Sequence, residues 1–80
     1  MDWYDVTTKG EVVAHGVTKT ARRLFYTECF WTEEKLLAAL RSHAEKVGVT
    51  GLRITDFRKT TAPPARWDVE VVDLDKLLGI

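Results

Sequence analysis

Two histidines, His15 and His43, one cysteine, Cys29, and one serine, Ser42, are the side chains that could carry nucleophilic or metal chemistry in this chain. Structural zinc takes four ligands from Cys and His, and these three imidazole and thiol groups are too few and too scattered. Ser42 and His43 are adjacent within a segment of helical period, where neighbours point about 100° apart and do not form a hydrogen-bonded dyad. Cys29 sits among aromatic residues, and apolar surroundings suppress the thiolate, so it reads as a small buried hydrophobe. The carboxylate pairs Asp68/Glu70 and Asp73/Asp75 have the composition for acid–base work, but their setting is a polar strand face and a charged tail. The run Gly48-Val49-Thr50-Gly51 lacks the Lys-Ser/Thr of a phosphate loop and follows a helix end whose dipole disfavours anions. The expectation is a protein that is not an enzyme and holds no metal or cofactor.

Binding chemistry is better represented. Arg22, Arg23, Arg58, Lys59 and Arg66 lie beside Phe25, Tyr26 and Trp67 in the sequence, and cations interleaved with aromatics are how single-stranded nucleic acid is gripped. The overall balance opposes that use. The 12 basic residues are matched by 12 acidic ones, so no net field draws the chain to a polyanion. There is no Asn or Gln to pair bidentately with adenine, and no helix-turn-helix or RNA-recognition signature is present. A small nucleic-acid-binding domain with a basic, aromatic-flanked sheet rim is therefore the alternative reading.

The stronger signal is an excess of apolar aromatic surface. Side chains alternate along a strand, so across residues 22–31 Leu24, Tyr26 and Phe30 are expected on one face, with Phe25, Cys29 and Trp31 on the other. A single helix covers a single face. Two uncovered aromatics amount to roughly 300–500 Å² of apolar surface, about the largest patch a monomer tolerates. Aromatics and Arg are also the residues enriched in binding hot spots. The sequence thus nominates Phe25, Tyr26, Trp31, Arg22 and Arg23 as a partner-binding surface. Arg58, Lys59 and Arg66 extend it on the basic side, and Asp68, Glu70, Asp73 and Asp75 on the acidic side. A second copy of the chain and a different protein are both candidate partners.

The elements that must position these residues follow from periodicity. Residues 3–8 are rich in aromatic and β-branched types and read as a strand. Lys9-Gly10 is placed as a tight turn, returning through residues 11–17, with the aromatic strand after it. Thr32 is a helix N-cap followed by Glu33 and Glu34, which suit the positive end of the helix dipole. Leu36, Leu37, Leu40, Ala44 and Val47 then fall on one face of a helix over residues 32–47. Gly48 suits the left-handed residue after that helix. Residues 52–57 and 67–71 read as two further strands separated by a loop over residues 58–65 that contains Pro63-Pro64, and Leu74, Leu77 and Leu78 as a closing helical turn. The result is one α+β domain over residues 1–80, β-β-β-α-β-β. A mostly antiparallel sheet of about five strands carries one long helix on one face.

At 80 residues, 45% apolar and 30% charged, the composition is that of a globular domain with a thin core. No apolar run reaches the roughly 18–20 residues of a membrane span, and the amino terminus lacks a secretory h-region. A lone cysteine cannot form an internal disulfide, which fits a cytoplasmic location. In size and strand–helix–strand layout the chain resembles the small phage-encoded anti-CRISPR proteins. That resemblance spans all 80 residues without a shared motif. It implies a non-catalytic inhibitor that occludes a nucleic-acid-binding or subunit surface of a bacterial CRISPR effector in the host cytoplasm. It also implies that Asp68, Glu70, Asp73 and Asp75 imitate phosphates.

Overall fold

A computed structural model describes residues 1–62 and 68–80. Among these, the chain forms strand β1 (Asp2–Val12), strand β2 (Val17–Thr27), helix α1 (Glu33–Lys46), strand β3 (Val49–Thr60), strand β4 (Glu70–Asp73) and helix α2 (Leu74–Leu78). The α+β class is as expected, but the sheet has four strands and is mixed. Its order is β3-β1-β2-β4, with β1 antiparallel to both β2 and β3, and β4 parallel to β2. Strands β2 and β3 therefore run in the same direction on either side of β1. Parallel strands need a long crossover, and α1 supplies it.

Three expected amino-terminal strands are two long ones. Lys9-Gly10 is no turn: Gly10 lies inside β1, opposite Lys19. A Cβ at position 10 would come within 2.8 Å of the Val49 side chain and 3.2 Å of Leu52, so glycine here admits a close approach of β3. The hairpin turns instead at residues 13–16, where Gly16 adopts φ +61° and its N–H donates to the Val12 carbonyl at 2.9 Å. The aromatic strand is also shorter than expected. It stops at Thr27, so Cys29, Phe30 and Trp31 belong to the connection into α1 rather than to alternating strand faces.

Helix α1 matches its reading closely. The Thr32 side chain accepts a hydrogen bond from the Lys35 N–H, and Gly48 follows the helix at φ +81°. Leu36, Leu40 and Ala44 are buried, whereas Val47 is 63% exposed and lies off the packed stripe. The core is Tyr4, Val6, Phe25, Leu36, Leu40 and Leu74, with Trp31, Leu52, Ile54 and Phe57 packed against it. Tyr4 stacks on Phe57 with ring centroids 5.4 Å apart. Leu74 brings the second helix, α2, into this core, where only a closing turn was expected. Asp73 caps α2 by accepting from the Lys76 N–H, and Gly79 ends it at φ +73°. No helix among the described residues is long and apolar enough to cross a membrane. Of the expected loop over residues 58–65, residues 58–60 instead continue β3; Pro63, Pro64, Arg66 and Trp67, with the start of the expected fifth strand, lie outside the described residues.

Candidate interaction face

The register fixes which side chains share the sheet face opposite α1. Cross-strand partners stand side by side on a sheet, so Thr60, Trp3, Tyr26 and Asp73 form one row, followed by Arg58, Asp5, Leu24 and Val71. Asp56, Thr7 and Arg22 form the third row. Trp3 and Tyr26 are half-buried and pack with ring centroids 5.2 Å apart, tilted by 42°. Leu24, in the next row, is fully buried.

Asp5 is the electrostatic centre of this face. Its side chain is 5% exposed, and a carboxylate so far from water needs charged partners. Arg22 supplies a bidentate fork, Nε to Oδ1 at 2.9 Å and Nη2 to Oδ2 at 2.6 Å. Arg58 adds a longer contact at 3.4 Å to Oδ2 and also meets Asp56 at 3.5 Å. The hydrogen bond from Arg22 holds the Asp5 carboxyl below its ordinary range, against the opposing pull of burial, and the charges of Arg22 and Arg58 act in the same direction. Arg22 is held correspondingly more firmly in its charged form by the same bond. One row further, Arg53 pairs with Glu11 at 3.2 Å.

The sequence-nominated residues divide between this face and other duties. Tyr26, Arg22 and Arg58 are brought together here. Phe25 is not on the surface: it is 2% exposed, beneath α1, because its position in β2 is one residue out of phase with Tyr26. Arg23 shares the phase of Phe25 and pairs with Glu70 at 3.2 Å. Trp31 is half-buried against the core, donating its backbone N–H to the Tyr4 hydroxyl and its indole N–H to the Thr27 hydroxyl at 3.2 and 3.3 Å. Lys59 lies 3.6 Å from Asp2 and 5.9 Å from the centroid of Phe30, which is 70% exposed.

The acidic run does not form one surface. Asp68 is exposed, Glu70 is tied to Arg23, and Asp73 caps α2. Asp75 accepts from the Thr27 hydroxyl and from the Glu28 N–H at 2.9 Å. The Glu28 N–H, and then the Thr27 hydroxyl, lower its carboxyl below the ordinary range. Two of the four carboxylates thus hold α2 in place, which a row of phosphate mimics would not do.

Trp3 and Asp5 are the members of the face that the sequence reading missed. Alternation was the available signal, since Trp3, Asp5, Thr7, Lys9 and Glu11 stand two apart and Tyr4, Val6, Thr8 and Gly10 fill the intervening positions. Placing a turn at Lys9-Gly10 hid it. Comparison with protein-family models, curated proteins and solved structures finds no match to this chain.

Proposed function

We propose that the chain is a non-catalytic protein-binding module that engages its partner with the sheet face opposite the helices. The observation that carries this reading is the half-buried Trp3–Tyr26 pair on the sheet face that also carries Arg22 and Arg58. Aromatics and arginines on a rigid sheet are the groups that dominate protein–protein affinity. Phe30 and Lys59 continue the same end of the molecule with an exposed ring and a cation.

The charge pattern favours a protein partner over nucleic acid. Arg22, Arg23, Arg53, Arg58 and Lys59 each sit against a carboxylate of the same chain. Cations already neutralised release few counterions from a phosphate backbone. A partner with its own mixed charges can exchange these pairs without leaving either sign unmatched. The narrower form of the proposal is that the partner is a subunit of a CRISPR effector, whose nucleic-acid-binding or docking surface the chain occludes.

A photo-reactive residue at Thr60 or Trp3, compared with one at Ser42 on α1, tests the assignment in cells. A single target crosslinked only from the sheet positions is the expected result, and equal crosslinking from Ser42 would remove the face from consideration. With the partner in hand, Tyr26→Ala should weaken binding by about 2 kcal/mol or more in a chain that still melts cooperatively. For the narrower form, one equivalent of the chain should block target binding by the purified effector.

A further inference from the structure

The face under α1 carries a second feature, independent of the sheet face above. Small residues recur there on one face: Thr8 opposite Ala21, then Gly10 opposite Lys19, beneath Ala44 of the helix. Strand β4 begins only at the level of Arg23, so nothing from it walls the lower rows of β2. The result is a cleft of about 250 Å³ between the carboxyl-terminal half of α1 and the sheet. Its walls are Val6, Leu40, Leu52, Val72 and Leu77, and Gly10 forms part of its floor. A substituent at Gly10 would clash with Val49, so the narrowing toward β3 and the open space toward β2 have the same origin. Val17 and Val47, 52% and 63% exposed, stand at the same end of the molecule.

The polar groups in the cleft are few and unequal in charge. Arg23 and Glu70 neutralise each other across the strand pair at 3.2 Å. Lys19 lines the same space and makes no ion pair or hydrogen bond among the described residues. His43 of α1 also lines it. An apolar space whose wall carries Lys19, unpaired among the described residues, selects a ligand with an aliphatic body and an anionic end. The volume sets the size: a cavity of roughly 150 Å³ takes benzene, so about 250 Å³ takes about ten non-hydrogen atoms by the same proportion.

We propose that this cleft is a binding site for a medium-chain aliphatic monocarboxylate, whose chain lies between Leu40, Ala44 and Val72 and whose carboxylate meets Lys19. An acid of about eight carbons fills the space, and longer chains must leave it past Val17 and Val47.

The test uses octanoate and 1-octanol, which share a chain and differ in charge. Octanoate should raise the melting temperature in a saturable way and shift the amide resonances of Gly10, Ala21 and Ala44 ahead of those on the opposite sheet face. Octanol should bind about fivefold more weakly, the difference expected of one partly exposed ion pair. Lys19→Met should abolish that difference, and Arg53→Met, on the other face, should preserve it. Ala44→Leu fills the cleft with an apolar side chain and should remove binding of both probes while leaving the chain folded. Equal affinity for octanol and octanoate in the parent would overturn the anionic assignment, and shifts scattered over the surface would overturn the site. If the same resonances move with protein concentration alone and sedimentation shows a dimer, a second copy fills the cleft and the carboxylate proposal falls.

Discussion

Asp5 and Arg22 are unequal partners, and the inequality is measurable. Asp5 is 5% exposed on its side chain, whereas Arg22 is 45% exposed. Removing the buried charge lets the arginine turn to water, but removing the arginine leaves a buried carboxylate with, among the described residues, the longer Arg58 contact alone. Asp5→Asn should therefore cost about 1.5–3 kcal/mol, the scale of one charge-assisted hydrogen bond. Arg22→Ala should destabilise the chain more, in the same urea titration. The pH dependence has a fixed sign. Asp5 and Asp75 both have folded-state pKa values held below the ordinary aspartate value of about 3.9. Their stabilisation is fully present above that value and is lost as pH falls through the lower folded-state values. The parent should lose stability steeply on acidification below about pH 4. The Asp5→Asn, Asp75→Asn double variant should show a flatter acid limb, and an unchanged limb would mean that other carboxylates govern it. Charge was countable in the sequence, but its pairing was not. Asp5 finds Arg22 only because residues 5 and 24 are register partners, and a one-residue slip would send Asp5 to the other face.

At the scale of elements, α1 and α2 depend on the same core from different directions. Leu40→Ala removes a side chain that is 6% exposed and should cost roughly 2–5 kcal/mol; a melting temperature within a degree or two of the parent would show that this stripe does not carry the packing. Helix α2 is too short to form alone. It is held by Leu74, which is fully buried, and by the Asp75–Thr27 hydrogen bond. Thr27→Val keeps the shape of that side chain and removes the hydroxyl that donates to Asp75 and accepts from Cys29 and Trp31. Amide exchange in residues 74–78 should then accelerate ahead of exchange in α1, and uniform acceleration would mean that α2 has no separate opening. The long helix was legible because a cap, acidic first turn, apolar stripe and terminal Gly48 all agree. The sheet was less so. Gly10 carries the composition of a turn, and only the approach of Val49 from a distant strand makes it a strand residue. Strand β3 runs on through Arg58, Lys59 and Thr60, and the two charged positions are tolerated because it is an edge.

For the whole molecule, the outer edge of β3 decides whether the chain stays single. This strand has 12 residues and pairs only through β1 among the described residues, so its other side presents unpaired backbone groups, a template for a second copy. Two features oppose such pairing. The register against β1 shifts between Thr7 and Thr8, where Thr55 bulges out of the ladder, and Arg53, Asp56, Arg58 and Lys59 line the strand with charge. The parent should therefore sediment as a monomer at micromolar concentration, with its sheet face kept for a foreign protein. Substituting Arg53→Ile with Asp56→Val leaves the core untouched and should convert the edge into an associating one, seen as a concentration-dependent rise in sedimentation coefficient. A dimer already present in the parent would point instead to a self-complementary interface, and the Trp3–Tyr26 face would then be the first place to look for its two-fold axis.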